Sequence, residues 1–380
     1  MIDSVRQEIA GSASPIVVKV GTRVLTLPDG RLDTQRIADL ADQIQLLRAE
    51  GRHVVMVSSG AVGSGMSVLG LKQRPTNLSH LQAVAAIGQT KLIEAYDLTL
   101  RQHGTHAAQV LLTAGDLQDR GSYLNVRNTL LALLDLGAVP IINENDTVAV
   151  DELMKTFGDN DRLAALVTNL LRAPLLVILS DVPGLYNGHP DSPGTQLLST
   201  VARIDEEVFS YVQAHRVGLS KGGMGSKLKA ARMATLSGEN VILASGREPR
   251  VLERITRGEV IGTAFLAQGK SVSPLKRWLG FSSHPRGSLH LDQGACRAVC
   301  REGRSLLAIG IREISGNFHK GDVVSLRDGD SSEIGRGLTN YSAEELRKIQ
   351  GLHTHEIASA LGTCPYSEVV HRDNLALTSG

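Results

Sequence analysis

Short apolar runs alternate with helix-length segments along the first two thirds of the chain. The runs have the length of buried strands, about 4 to 8 residues. The segments between them have the periodicity of helices. The runs are IVVKV (16–20), HVVMVSS (53–59), AAQVLLT (107–113), AVPIIN (138–143), LLVILSD (175–181) and NVILAS (240–245). This alternation predicts an α/β protein, a three-layer α/β/α sandwich with a mainly parallel central sheet.

The segment between the first two runs predicts a crossover helix. Its apolar residues recur at i, i+3, i+4, i+7 and i+10, which places them on one helix face. They are Ile37, Leu40, Ala41, Ile44 and Leu47. Gly51 then supplies a C-terminal stop.

The pattern changes after the stretch 276–285, where prolines and glycines become more closely spaced. Three short strand-like runs follow, separated by Gly-rich turns: SLHLD (288–292), DVVSLRD (322–328) and SEVVH (367–371). Such spacing is typical of a small β-barrel-like domain. We therefore predict a first domain over 1–284 and a second over 285–380.

Composition agrees with this division but names no partner. The chain has 380 residues, of which 42% are hydrophobic and 21% charged, with a net charge of +1. Single cores stop growing near about 250–300 residues, so two domains are expected. The balanced charge indicates no bias toward nucleic acid or membrane. No apolar run approaches the roughly 20 residues of a spanning helix, and no signal-peptide core is present, so we expect a cytoplasmic protein without a membrane segment.

The three cysteines are too few and too unevenly spaced for a disulfide framework. Cys296 and Cys300 have the spacing of half a metal site, but no nearby pair completes it. We expect all three to be small buried hydrophobic residues.

A lysine interrupts the first apolar run. Lys19 stands in VVKVGT, where Gly21 opens a turn that lets backbone amides approach an anion. A lysine buried in a strand is costly unless it is paired. The functional interpretation is therefore preferred to an edge-strand lysine that points to water.

The second run is followed by SSGAVGSGMSVLG. Ser58 and Ser59, before Gly60, could cap a helix whose N-terminus faces an anion. The alternative is a capped helix with glycines for close packing.

Two polar clusters bound the segment 142–161. Asn143 to Asp146 follow an apolar run, and residues 158–161 precede an apolar helix. Asp146 could meet an ammonium group, and Asn160 could hydrogen-bond a carboxylate or amide. Asp159 and Asp161 could hold a lysine or a metal ion. The alternative for each is capping or turn chemistry, with Asp161 as a helix N-cap.

The stretch SKGGMGSK (220–227) lacks the spacing of a P-loop but predicts a phosphate-binding loop. Gly222 and Gly223 free the backbone to wrap a phosphate, and Lys227 brings its charge to a helix N-terminus. A Gly-rich linker is the alternative.

In this order, VVKVGT, SSGA, INEND, FGDND, LSD and GGMGSK resemble the amino-acid kinase family. SGNFHKGDVV and GRGLTNYSAEEL resemble a C-terminal PUA domain, so the resemblance covers nearly the whole chain. INEND followed by GDND is specific within the family, since acetylglutamate kinases and aspartokinases lack this pairing.

The resemblance implies phosphorylation of the side-chain carboxylate of L-glutamate by ATP, the first step toward proline. Lys19 and Lys227 would then neutralise the phosphoryl group in flight, oriented by Asp161. Ser59, Asp146 and Asn160 would hold glutamate. The implied ATP-binding residues are Lys19, Ser180, Asp181, Lys221, Gly222, Gly223, Met224, Gly225, Ser226 and Lys227.

The family also implies cofactors and partners. Mg²⁺ would be held mainly by the ATP phosphates rather than by a protein metal site. Proline would be a feedback inhibitor, the chain would form a homo-oligomer (dimer or tetramer), and the product would be handed to a glutamyl phosphate reductase.

Two alternatives stay open, another carboxylate kinase of the same fold and an RNA-binding or RNA-modifying protein that uses its PUA-like region. Residues 287–380 hold 10 Lys plus Arg against 12 Asp plus Glu, a net charge of 10 − 12 = −2. That balance makes RNA binding unlikely by charge alone. We expect a structural or regulatory role for the second domain.

Overall fold

A computed structural model describes residues 2–11, 13–148, 159–213, 223–268 and 274–378. The chain divides into two compact units. The first combines Met1–Leu117 with Gly121–Ser271, and the second combines Gln118–Arg120 with Val272–Gly380. The domain boundary predicted after residue 284 stays a prediction.

An eight-stranded sheet forms the centre of the first unit. Its strands are β1 (Ile16–Val20), β2 (Val54–Ser58), β3 (Ala107–Leu112), β4 (Val139–Glu144), β5 (Leu175–Ser180), β6 (Thr200–Val201), β7 (Asn240–Ser245) and β8 (Thr263–Phe265). They lie in the order β3-β4-β2-β1-β5-β7-β8-β6. All neighbours are parallel except β7 and β8. Each of the six predicted runs contains a strand, whereas the short strands β6 and β8 were not predicted.

The helices described up to residue 256 connect these strands. They are α1 (Ser4–Gly11), α2 (Thr22–Leu25), α3 (Thr34–Ala49), α4 (Ala61–Val68), α5 (Leu78–Gln102), α6 (Ala114–Gln118), α7 (Arg120–Asp135), α8 (Asp159–Leu171), α9 (Glu206–Gln213), α10 (Met224–Leu236) and α11 (Val251–Thr256). The predicted crossover helix is α3, and its five apolar residues are all buried. The Asp33 side chain caps this helix by accepting from the backbone N–H of Arg36.

The alternation of side chains along β1 assigns its residues to two faces of the sheet. Ile16, Val18 and Val20 join a core with residues of α3 and α5. Lys19 therefore points to the opposite face, where α8 lies against the sheet. Because β1 is paired on both sides, by β2 and β5, the alternative of an edge-strand lysine was wrong.

Helices α4 and α5 approach each other at glycines. A Cβ on Gly65 would lie 1.8 Å from the carbonyl oxygen of Val84, and one on Gly88 would lie 1.8 Å from that of Ala61. The alternative of glycines for close packing was thus correct. The expected serine cap was wrong, since Gly60 is the N-cap of α4, at φ 106°, and no side chain caps it.

An arginine fastens the N-terminal helix to the far edge of the sheet. Arg6 is buried, and its guanidinium donates to the carbonyl oxygens of Ile261 at 2.5 Å and Gly262 at 2.9 Å. It also donates to the carbonyl of Ser199. These carbonyls flank β6 and β8, and that of Ser199 also accepts from the backbone N–H of Ala264 at 2.9 Å. A single side chain therefore ties α1 to the backbone on either side of the two short strands.

The second unit contains a five-stranded sheet. Its strands are β9 (Gly287–Leu291), β10 (Ile311–Gly316), β11 (Val323–Arg327), β12 (Glu333–Leu338) and β13 (Leu375–Leu377), in the order β10-β9-β11-β12-β13. Its α-helices are α12 (Pro274–Arg277), α13 (Gln293–Cys300), α14 (Ala343–Ile349) and α15 (Thr354–Leu361). Single helical turns follow at Trp278–Ser282, Ala308–Gly310 and Arg372–Asn374.

The strand predictions in this unit were partly correct. Two of the predicted runs form β9 and β11, but the run at 367–371 forms only an isolated bridge between Val370 and Leu306. Strands β10, β12 and β13 were missed. The expectation of buried cysteines was also wrong, because Cys300 and Cys364 are exposed and Cys296 is partly exposed. None of the described helices combines the length and apolar character needed to cross a membrane.

The close approach of α4 and α5 predicts that one added methyl group destabilises the first unit. We expect Gly65→Ala to lower the free energy of unfolding by at least about 2 kcal/mol, because the methyl group meets rigid backbone. Gly63→Ala, in the same helix, is the control. Its Cβ would make only ordinary contacts, the nearest at 3.6 Å, so stability should stay equal or rise slightly. Thermal or urea unfolding measures both, and equal stability of the two variants would contradict the packing described.

Candidate active site

Polar side chains gather where β1, β2, β4 and β5 end and where α8 begins. Parallel sheets bind ligands at the carboxyl ends of their strands, because loops and helix N-termini converge there. Two groups of contacts occupy this edge, one centred on Asp161 and the other on Asn160. These neighbouring residues lie in the first turn of α8, so one helix N-terminus supplies both groups.

The Asp161 carboxylate joins two lysines that are distant in sequence. Its Oδ1 lies 2.7 Å from Lys19 Nζ, and its Oδ2 lies 3.6 Å from Lys227 Nζ. Ser226 Oγ donates to Oδ2 at 2.7 Å. Asp161 has no exposed surface, and Lys19 is 5% exposed. The structure thus brings together all three residues predicted to be catalytic.

The charges in this cluster hold one another in place. Burial raises the pKa of Asp161, but the charges of Lys19 and Lys227 and the hydrogen bonds from Lys19 and Ser226 outweigh it and lower the pKa. Burial lowers the pKa of Lys227, Asp161 opposes that change, and the like charge of Lys19 adds to it. Two cations are therefore held close together by one carboxylate. The alternative of Asp161 as an N-cap was wrong, since both of its oxygens serve side chains.

The second cluster is a chain of hydrogen bonds between side chains. Asn160 Nδ2 lies 2.9 Å from Ser59 Oγ, 2.9 Å from Asn143 Oδ1 and 3.2 Å from the carbonyl oxygen of Ser58, and these three acceptors share its two hydrogens. Asn143 Nδ2 donates in turn to Gln89 Oε1 at 2.8 Å. The predicted glutamate-binding residues Ser59 and Asn160 are therefore in direct contact.

Asp146, the third residue predicted to bind glutamate, stands apart from that chain. The contacts described link it to Arg74 rather than to either cluster. Burial raises the pKa of Asp146 to about 6, and the positive charge of Arg74 opposes the increase. The carboxylate of Asp146 therefore takes up a proton at a higher pH than an exposed aspartate does.

Ser180 and Asp181 lie at the end of β5. Ser180 Oγ donates to Asp181 Oδ1 at 3.1 Å, and Arg23 Nη1 lies 3.0 Å from Asp181 Oδ2. Burial raises the pKa of Asp181, but the hydrogen bonds from Arg23, its own backbone and Ser180 outweigh this effect and lower it.

The predicted phosphate loop is described only in its second half. Gly223 is the N-cap of α10, and Met224, Gly225, Ser226 and Lys227 form its first turn. Lys221 and Gly222 lie outside the described residues, as does Gly158 of the second polar cluster.

Sequence reasoning missed the residues behind the site. Gln89 lies in the interior of α5 and is buried, although its polarity alone does not distinguish it from a surface residue. Tyr96 lies further along the same helix, and its hydroxyl forms a hydrogen bond with Ser58 Oγ at 3.2 Å. Burial raises the pKa of Tyr96 to about 12. The one available signal was a polar residue on the apolar face of a long helix.

No group of three or more His, Cys, Asp or Glu side chains suited to a metal ion occurs in the part of the chain that the structure describes. The oxygens of Asp161 already serve two lysines and a serine. A metal ion on Asp161 would therefore compete with these three groups.

Comparison with known proteins gives matches over the whole chain. The profile of the amino acid kinase family matches residues 14–245, and that of the PUA domain matches residues 287–361. A glutamate 5-kinase from Rhodopirellula baltica is 48% identical over 374 residues, which cover 98% of this chain and 96% of that protein. One from Thioalkalivibrio sulfidiphilus is 47% identical over 373 residues, covering 98% and 99%.

Among solved structures, carbamate kinase from Giardia lamblia bound to AMP-PNP aligns with a TM-score of 0.48 at 18% identity. The alignment covers 68% of this chain and all of that one (100%), a likeness too low to carry an argument. The two family profiles and the relatives of nearly equal length decide the assignment. The chain belongs to the amino acid kinase family, in the group of the glutamate 5-kinases that carry a PUA domain.

Proposed function

We propose that this protein transfers the γ-phosphoryl group of ATP to the side-chain carboxylate of L-glutamate. The product is γ-glutamyl 5-phosphate, and the reaction is the first step of proline biosynthesis. The name shared by relatives at 44–48% identity supports this substrate pair. The observation that carries the proposal is the buried carboxylate of Asp161 between two lysine ammonium groups.

Phosphoryl transfer requires charge stabilisation more than covalent help from the protein. Negative charge is spread over the oxygens of the group in flight, between the attacking carboxylate and the leaving ADP. Lys19 and Lys227 supply two fixed positive charges for it, and Asp161 offsets their repulsion before substrates bind. Because the lysines are held in advance, little reorganisation is needed in the transition state.

Glutamate would bind beside this cluster. Ser59, Asp146 and Asn160 would offer a hydroxyl, a carboxylate and an amide to its α-ammonium and α-carboxylate groups. The contact of Asn160 with Ser59 supports a shared subsite, and the adjacent position of Asp161 supports its nearness to the reacting carboxylate.

ATP would lie along the ends of β5 and α10. Ser180 and Asp181 would line the nucleotide site, and the segment 221–227 would hold the phosphates at the N-terminus of α10. Mg²⁺ would be carried mainly by the phosphate oxygens, where it supplies further neutralisation of charge. The occupied oxygens of Asp161 support that assignment.

The regulatory and partner assignments follow from the same family. Proline would inhibit by feedback, the chain would assemble into a dimer or tetramer, and the product would pass to glutamyl phosphate reductase. The PUA domain would have a structural or regulatory role, which its net negative charge supports over RNA binding.

The substrate is tested by trapping the acyl phosphate with hydroxylamine. Glutamate, N-acetylglutamate and aspartate are compared at equal concentration with ATP and Mg²⁺. We expect hydroxamate with glutamate, and at most about a hundredth of that rate with the other two. Turnover only with the acetylated substrate would overturn the proposal, whereas salt-sensitive RNA binding without turnover of ATP would favour the RNA-binding alternative.

The proposed roles predict that two alanine variants differ in kind. Lys227→Ala should lower kcat by about 10²-fold or more, because it removes a charge that stabilises the transition state. Asp146→Ala should mainly raise KM for glutamate, by about tenfold or more, because it removes a binding contact. Lys229→Ala, an exposed lysine of the same helix, is the control and should leave both constants unchanged. Equal losses of kcat in the first two variants, with KM unchanged, would contradict these roles.

The raised pKa of Asp146 predicts a pH dependence of glutamate binding. Above a pKa of about 6 the side chain is a carboxylate that attracts an ammonium group, and below it the neutral form does not. We therefore expect kcat/KM for glutamate to fall as pH decreases through about 6, while KM for ATP changes little. Asp146→Asn should bind glutamate weakly, and its kcat/KM should no longer fall as pH decreases. If kcat/KM of that variant still falls at the same pH, the titrating group is not Asp146.

A further inference from the structure

The orientation of the Asn160 amide is fixed by a group that can only accept. Asn160 Nδ2 lies 3.2 Å from the carbonyl oxygen of Ser58, the last residue of β2. The two ends of an asparagine amide are assigned by their partners, and a carbonyl oxygen requires the N–H end. The reverse orientation would set two oxygens against each other. Asn160 therefore presents its nitrogen to the sheet and its oxygen elsewhere.

This orientation extends to two residues behind the site. Because Asn160 offers a donor, Asn143 must present its Oδ1, 2.9 Å away. Asn143 Nδ2 then needs an acceptor, which is Gln89 Oε1 at 2.8 Å. Asn143 and Gln89 are only 2% and 7% exposed, so water cannot readily replace either bond. Each of these three side-chain amides therefore has one permitted orientation.

The two polar atoms at the ends of this chain of hydrogen bonds are left without partners. Gln89 Nε2 and Asn160 Oδ1 are buried, and neither has a hydrogen-bond partner among the described residues. A buried acceptor without a partner is costly and calls for an explanation, and a ligand that supplies the missing donor is one. Asn160 Oδ1 lies on the residue next to Asp161, at the edge where the phosphoryl cluster lies.

We propose that Gln89 and Asn143 are positioning residues that keep Asn160 Oδ1 facing the substrate, where it accepts a hydrogen bond from the α-ammonium group of glutamate. The inference rests on the proposed function and deepens it. Of the charged groups of glutamate, the ammonium group donates and the ionised carboxylates only accept. An outward oxygen therefore selects the free amino group and disfavours a carboxylate at the same point.

The experiment compares glutamate with glutarate, which is glutamate without its amino group. KM for glutamate and the competitive inhibition constant of glutarate are measured for each variant, together with KM for ATP. A residue that acts through the ammonium contact changes the first constant and leaves the second unchanged. A residue with only a structural role changes both.

The first matched pair of variants is at Gln89. Gln89→Leu removes the acceptor of Asn143, so that Asn143 can turn its nitrogen toward that of Asn160. We expect KM for glutamate to rise about fivefold or more, with the glutarate constant changed less than about twofold. Gln89→Glu keeps an oxygen for Asn143 and replaces the unpartnered nitrogen by a second oxygen, so KM should stay much closer to that of the wild type than in the leucine variant.

A second pair at Asn143 keeps the test valid if a Gln89 variant does not fold, which circular dichroism and thermal unfolding report. Asn143→Asp still offers an oxygen to Asn160, and the free Gln89 Nε2 can turn to donate to the other oxygen. Asn143→Leu offers neither. We expect a rise in KM for glutamate of about tenfold in the leucine variant and a much smaller change in the aspartate variant.

Wild-type turnover is measured first and tests the proposed function. If the wild type phosphorylates glutamate, parallel changes in both constants, or an unchanged KM in folded leucine variants, overturn the positioning role alone. If the wild type does not use glutamate, the proposed function fails, and the ammonium contact fails with it. Selective loss of glutamate affinity, recovered in the oxygen-bearing variants, supports the inference.

Discussion

The bond between the Asp161 carboxylate and the Lys19 ammonium group is the interaction on which the site depends. Lys19 is buried in a central strand, a position where an unpaired ammonium group would be strongly destabilising. Asp161, in the first turn of α8, offsets that cost by pairing with Lys19, and it holds Lys227 of α10 at the same point. The ion pair thus fixes three elements relative to one another: β1, α8 and α10.

Such a cluster is a poor way to stabilise a fold, since well-packed apolar groups of the same volume often serve as well or better. It is better explained by what it does for an incoming phosphoryl group. Two ammonium groups held by one carboxylate carry a net positive charge. Phosphate oxygens can bind both ammonium groups while the carboxylate stays in place. Two neighbouring residues in the first turn of α8 have different partners. Asn160 belongs to the hydrogen-bonded chain of amides, and Asp161 lies between the lysines.

The sheet was largely predictable, whereas the amide chain behind the site was not. The six apolar runs are strands because buried parallel strands require continuous apolar sequence. β6 and β8 are too short to leave that signature, and the residues that flank them are held by Arg6, which is more than 190 residues away in sequence. In the second unit, β10 and β12 have partly exposed residues and glycines, so their patterns resemble loops. Gln89 stands in the apolar stripe of α5, but the sequence does not show that Asn143 lies against it.

The sequence by itself determined the α/β architecture, the family resemblance and the residue types at the site. These properties depend on local periodicity and on short motifs, which are written in consecutive residues. Only the tertiary structure decided that Lys19 is central rather than at an edge, that Asp161 joins both lysines and that Asn160 turns its nitrogen to Ser58 and Asn143. Each of these depends on partners 17 to 159 residues apart in sequence, from Asn143 and Asn160 to Lys19 and Ile178 of β5. Their distances are set by strand order and helix packing, which no local pattern encodes.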